Sequence, residues 1–408
     1  MTAEHRLSVV DEMFLRSHRG LGTPIAMQGL WRFAEHVDAD LLRSVHEHLA
    51  AGPLGRRVIR SSIPGARPRW RLESESYPLT YLDTAGGIVE WADAQTSNLD
   101  PSRGPGWRLS AARLPDGGSV VSIVCSHVLT DARGLILAVD QALTDQEPNE
   151  ALDHVSDWVD AARTWSIVAA RLRPRSLPRR EPVPDRHEPS ARVSSTILDI
   201  PAAQWDSTAA LHSGSSNSLF VAIITGTLRR SGAVAADADV SVAIPIDTRS
   251  TAEIGNAMTM SEVSVGPDDS LADIRSHARR AYLQPMSAPP GIPDELLHVV
   301  PDRLAYLMAR GSGERDVLCS NIGTVPPSLD ALGPHRATGV AARAVHPGLT
   351  PTHLSRLRTR LSGYLCRNGE RYTLALIGLD PSHIGSDHAL ADLAHRELDT
   401  WGLTAQEW

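Results

Sequence analysis

The stretch from Ala170 to Arg192, ARLRPRSLPRREPVPDRHEPSAR, carries five prolines and no apolar periodicity. Proline fixes φ and removes an N–H donor, so neither a helix nor a central strand runs through such a segment. It reads as a linker or an extended crossover. A chain of 408 residues also exceeds what one core of ordinary size organises. Together these features divide the sequence into a first lobe, 1–170, a connecting segment, 171–192, and a second lobe, 193–408.

Both halves mix the two periodicities. In the first, Ile25–Phe33 alternates as a strand, Ala39–Leu49 has helical spacing, Pro68–Leu72 reads as a strand and Gly87–Asn98 as a helix. Trp107–Leu114 and Ser119–Ser126 flank Pro115-Asp-Gly-Gly, a hairpin signal, and Gly134–Leu143 reads as a helix. In the second half the expected strands are Val193–Ile200, Val240–Ile246, Val317–Ser320, Leu357–Cys366 and Arg371–Leu379. The expected helices are Pro201–Leu211, Ser218–Ser231, Leu271–Tyr282 and His388–Trp401. The fold class is therefore α/β (α+β), with a mixed sheet and helices in each of two lobes.

All 40 basic side chains are arginine, because the sequence contains no lysine. Schiff-base chemistry and a Walker A lysine are thereby excluded. The net charge of −8 argues against nucleic acid as a partner. Cys125, Cys319 and Cys366 are too widely spaced for a zinc site and odd in number, so reduced apolar thiols and no metal are expected. The apolar run Val120–Leu129 is interrupted by Ser122, Ser126 and His127 and falls short of the roughly 20 residues of a membrane span. No secretory signal is visible at the N-terminus, so a cytoplasmic location is expected.

The string Ser122-Ile-Val-Cys-Ser-His-Val-Leu-Thr-Asp-Ala-Arg-Gly places His127 and Asp131 just beyond a buried strand. An imidazole leaving a strand end can reach a cavity, and its pKa near neutrality suits proton abstraction. A nearby carboxylate can fix its tautomer or the local turn. Taken alone, H-x-x-x-D is more often a structural histidine beside an unrelated aspartate. No G-x-S-x-G elbow is present for a serine hydrolase.

Further strings accompany it in order. Leu7-Ser-Val-Val-Asp-Glu-Met-Phe-Leu and Gly22-Thr-Pro-Ile-Ala-Met-Gln-Gly precede it; Asn217-Ser-Leu-Phe-Val-Ala-Ile, Val242-Ala-Ile-Pro-Ile-Asp-Thr-Arg, Gly255-Asn256, Cys319-Ser-Asn-Ile-Gly and Leu361-Ser-Gly-Tyr follow it. The set resembles the superfamily of chloramphenicol acetyltransferase, nonribosomal peptide condensation domains and wax ester synthase/diacylglycerol acyltransferases, whose motif is HHxxxDG. Two positions depart from that motif. Ser126 stands for the first histidine and Ala132 for the glycine, with Gly134 two residues later.

The resemblance implies two chloramphenicol acetyltransferase-like lobes with an active-site tunnel between them. It implies an acyltransferase of natural-product or lipid biosynthesis that moves an acyl group from acyl-CoA or an acyl or peptidyl carrier protein to a small hydroxyl or amine acceptor. No covalently bound cofactor is implied. His127 would be the general base and Asp131 an architectural partner of Arg249. Ser126, Thr130 and Asn321 are open choices for the oxyanion donor, while Gly134, Asn256 and Ser320 fall at motif positions. The alternative is a degenerate relative that binds a carrier protein or biosynthetic intermediate without transferring an acyl group.

Overall fold

The computed structural model describes residues 6–21, 23–83, 87–144, 155–173, 192–250, 254–284, 292–301 and 314–408. Most of the proline-rich segment, 174–191, lies outside them.

The first half supplies α1 (Val9–Leu21), β1 (Ala26–Phe33), α2 (Ala39–Ala51), β2 (Arg56–Ile59), β3 (Arg69–Leu72), β4 (Thr80–Asp83), α3 (Ile88–Ala94), β5 (Trp107–Arg113), β6 (Ser119–Ser126), α4 (Ala132–Leu143) and α5 (Asp157–Arg171). The second supplies β7 (Ser194–Pro201), α6 (Ala202–Leu211), α7 (Ser216–Arg230), β8 (Val240–Asp247), β9 (Met258–Val265), α8 (Leu271–Tyr282), β10 (Val317–Thr324), β11 (Ala331–Leu332), β12 (His335–Val345), α9 (Pro351–Leu354), β13 (Leu361–Asn368), β14 (Arg371–Gly378), α10 (Asp387–Thr400) and β15 (Gln406–Glu407).

Thirteen of these strands form a six-stranded sheet, β11-β12-β1-β6-β5-β4, and a seven-stranded sheet, β15-β7-β14-β13-β10-β8-β9, while β2 and β3 pair by themselves. Both are mixed: β4 runs parallel to β5, and β10 runs parallel to β8 and β13. Every residue of β6 is buried, as expected for a strand inside a sheet with both faces covered. The β5–β6 hairpin turns at Gly117, whose φ of 87° favours a residue without Cβ. Helix α7, closed by a Ser215/Ser218 capping box, is buried nearly all round beneath the second sheet.

Sheet membership does not follow the linear division at 193. Strands β11 and β12 come from the second half yet complete the first sheet, with β12 antiparallel to β1. One apolar core joins Leu30, Trp31 and Ile123 of the first sheet to Tyr364, Cys366 and Ile377 of the second. The expected strand from Leu357 begins only at Leu361, because both ladder partners, Val317 and Gly378, start there. Among the described residues no helix is long and apolar enough to cross a membrane. The three cysteines are free and buried.

Candidate active site

The register places three strand termini side by side at one edge of the first sheet. Ala26 of β1 pairs with Ser126 of β6 on one side and with Val345 of β12 on the other. His127 and His346 are therefore the first residues beyond two strands that flank β1. The backbone of His127 is still tied to the sheet, its N–H donating to the Ile25 carbonyl at 2.8 Å.

The His127 side chain is buried, with 8% of its surface accessible. One ring face stacks on Phe14 of α1, the centroids 3.7 Å apart and the planes at 16°. Its Nδ1 lies 3.0 Å from Oδ1 of Asn256. The amide Nδ2 of Asn256 donates to Oδ1 of Asp11 and to the His127 carbonyl, each at 2.8 Å. Because Nδ2 faces these two acceptors and the Val128 carbonyl at 3.4 Å, Oδ1 must be the atom facing the ring, so Nδ1 carries the hydrogen and Nε2 keeps its lone pair. No other hydrogen bond from the ring has standard geometry among the described residues. Burial lowers the His127 pKa; the negative charge of Asp131 and the nearby carbonyls of His127 and Thr130 oppose that shift.

Asp131 closes the turn after β6. As the N-cap of α4 it accepts from the Gly134 N–H at 2.9 Å. The same Oδ1 lies 2.7 Å from Nη2 of Arg249, and Oδ2 accepts from the Ala257 N–H at 3.0 Å. Arg249 also donates to the Gly255 carbonyl. Thr130 Oγ1 donates to that carbonyl at 3.2 Å. The loop between β8 and β9 is thus fastened to the turn between β6 and α4. Gly134 explains the tightness, since a Cβ there would run into Thr130 Oγ1, Arg249 Nη2 and the Gly255 carbonyl. Ala132 sits in the first turn of α4 without a positive φ, so the position that demands glycine is 134.

The other sequence-derived site residues divide. Ser126 is buried and its Oγ accepts from the Val128 N–H at 3.4 Å. Ser320 and Asn321 are not joined to the His127 network by any hydrogen bond among the described residues. Asn321 is exposed on β10 and donates to Oδ1 of Asn217 at 3.1 Å. Of the three oxyanion candidates, Thr130 is committed to Gly255 and Asn321 to Asn217. Three site residues were missed from sequence: Asp11, Phe14 and His346. His346 is part-buried, and burial together with the neighbouring His127 pushes its pKa down to about 4. The helical spacing of the apolar residues of α1, after the Ser8/Asp11 cap, could have revealed a helix; nothing local marks His346.

A small apolar cavity of about 20 Å³ lies between α4 and the first sheet, beginning at Ala132 and bounded by Leu135, Ile136, Trp31 and Val340. That volume holds about one water, and its lining offers almost no polar partner. Among the described residues no group of three or more His, Cys, Asp or Glu is placed to hold a metal ion.

The two-lobed α/β fold is that of condensation-type acyltransferase structures. The chain aligns over 98% of its length with 95% of the first condensation domain of the CDA synthetase, at a TM-score of 0.61 and 15% identity. It aligns over 97% with 98% of the wax ester synthase/diacylglycerol acyltransferase from Marinobacter aquaeolei VT8, at 0.58 and 15%. It aligns over 99% with 99% of F. sporotrichioides TRI101 complexed with coenzyme A and T-2, at 0.60 and 13%. Against the larger nonribosomal peptide synthetase FmoA3 it spans 44% of that chain. No protein-family model and no curated protein matches the sequence.

Proposed function

We propose that the chain is an acyltransferase in which His127 is the general base. The observation that carries this reading is the state of the ring: Nδ1 is committed to Asn256, and Nε2 remains an available base at the seam between the two halves. In the reaction, Nε2 takes the proton of an acceptor hydroxyl or amine, whose heteroatom attacks the carbonyl carbon of a thioester. The tetrahedral intermediate collapses, the C–S bond breaks, and the imidazolium returns the proton to the thiolate. The acyl group moves directly to the acceptor, with no acyl-enzyme.

The donor is an acyl-CoA or an acyl carrier protein, and the acceptor is a small molecule that approaches His127 from the opposite side of the seam. Support comes from the similarity in fold to condensation domains, to a wax ester synthase and to TRI101 complexed with coenzyme A. Asp131 and Arg249 hold the turn that presents His127. Of the oxyanion candidates, Ser126 is the one whose hydroxyl proton is uncommitted, and that favours it as the donor.

Thiol release from a panel of acyl-CoA and acyl-carrier donors, with and without hydroxyl and amine acceptors, tests the proposal. Acceptor-dependent release that disappears in His127→Ala supports it. Retention of a carrier protein or intermediate with no thiol release from any donor would instead favour the binding-only relative, for which Ser126 in place of a histidine is the motivating departure.

A further inference from the structure

Asn256 orients His127, and Asn256 is itself oriented from the start of the chain. The string Leu7-Ser-Val-Val-Asp folds as a reciprocal helix cap: the Ser8 N–H donates to Asp11 Oδ2 at 2.8 Å, and the Asp11 N–H donates to Ser8 Oγ at 3.1 Å. Only one carboxylate oxygen is used by this cap. The other, Oδ1, accepts from Nδ2 of Asn256 at 2.8 Å across a sequence separation of 245 residues. One turn later, Phe14 lies against the imidazole face. The opposite side of α1 is anchored separately, since Glu12 pairs with Arg16 and His298, and Arg16 Nη1 donates to the Val300 carbonyl at 2.6 Å.

We propose that Asp11 is a positioning residue that sets the tautomer of His127 through Asn256. Without the carboxylate, the Asn256 amide loses its one anionic acceptor and keeps the His127 carbonyl and the more distant Val128 carbonyl, which mark its nitrogen less strongly. A rotated amide would present N–H groups to Nδ1, which would then have to accept, and the proton would move to Nε2, where it blocks base catalysis. Burial raises the Asp11 pKa, and the hydrogen bonds from Asn256 and Ser8 and the nearby charge of Arg56 oppose that rise; both Asp11 oxygens face N–H donors, as an acceptor carboxylate requires. The inference rests on the reading of His127 as the base.

The test compares Asp11→Ala, Asp11→Asn and Ser8→Ala in the full chain. Two readouts are used: the ¹⁵N chemical shifts of the His127 ring, and kcat and KM for whichever thioester donor the wild type consumes. The wild type is expected to show a protonated Nδ1 and a bare Nε2. Asp11→Ala is expected to mix the tautomers and to lower kcat about 10²-fold with little change in KM. A full tautomer error costs a serine-protease histidine about 10⁴-fold, and here the amide keeps its carbonyl acceptors. Ser8→Ala removes the side-chain half of the cap and should cost stability while leaving tautomer and kcat in place. If Asp11→Ala does not fold, Asp11→Asn preserves the volume while two donors compete for one oxygen, and the same mixed ring signals are expected.

Unchanged ring signals in the folded Asp11 variant, or equal kcat losses in Ser8→Ala and Asp11→Ala, would reduce Asp11 to a helix cap and overturn the proposal. The ring signals decide this independently of turnover. Full activity in His127→Ala would refute the base assignment instead.

Discussion

Two buried polar clusters join distant parts of this chain, and they differ in one respect. At Arg343, on β12, the guanidinium has no exposed surface and every nitrogen is committed: Nε to Gln28 at 2.9 Å, Nη1 to Ser195 and Nη2 to Asp93. Gln28 in turn donates to the Ala92 carbonyl at 2.8 Å and to Ser122 at 2.9 Å. At His127 the network is equally dense, yet one ring nitrogen is left without a hydrogen bond among the described residues. The Arg343 cluster joins the two sheets; the His127 cluster leaves a lone pair open for the proposed base.

The sharpest way to break this comparison is to delete each centre and read activity and stability separately. His127→Ala is expected to remove about 10²–10⁴-fold of turnover, the usual contribution of a positioned general base, with the melting transition nearly unchanged. Equal rates in mutant and wild type would end the base assignment. Arg343→Leu should do the reverse. Leaving Asp93 and Gln28 without their cation is expected to cost about 3 kcal/mol in chemical denaturation, with kcat per folded molecule preserved. A selective loss of kcat would place Arg343 in the reaction.

The ion pair between Asp131 and Arg249 lies between these extremes, because it is structural but adjoins the proposed base. Their losses should be non-additive: Arg249→Ala in an Asp131→Ala background is expected to cost less than Arg249→Ala alone, with a coupling of about 0.5–3 kcal/mol in unfolding free energy. Strict additivity would mean that the turn after β6 is held by the Ala257 and Gly134 N–H groups alone.

The smallest expected effect concerns His346. Its folded pKa lies below the unfolded value, so the unfolded chain binds the proton more readily and stability falls as pH drops below about 6.5 towards about 4. Replacement by glutamine should flatten that acid limb by about 1–2 kcal/mol at pH 4, discounted because the side chain is part-exposed. An unchanged limb in pH-dependent denaturation would place His346 in water, away from His127.

Periodicity and punctuation foretold much of the scaffold. The β5–β6 hairpin was legible because Asp-Gly-Gly separates two apolar runs, and α7 because its apolar residues leave no polar face. Helix α1 is announced locally by the capping box of Ser8 and Asp11. Strand β12 has no such local mark. Its alanines and arginines have no strand pattern, and its place is decided by β1 on one side and by the partners of Arg343 within the core.

The sequence by itself determined the kinds of group available: a histidine after a buried strand, an aspartate four residues on, a distant arginine and asparagine, and no lysine anywhere. Order along the chain also brought out their resemblance to an acyltransferase motif. Only the tertiary structure decided which of these groups meet. It brought Asn256 to Nδ1 of His127 and Asp11 to the Asn256 amide, set His346 two strands away at the same end of the sheet, moved the glycine requirement to position 134, and left Ser320 and Asn321 outside the network. The physical reason is that local spacing governs helices, strands and turns, whereas a tautomer or a buried ion pair depends on atoms hundreds of residues apart meeting within hydrogen-bond distance.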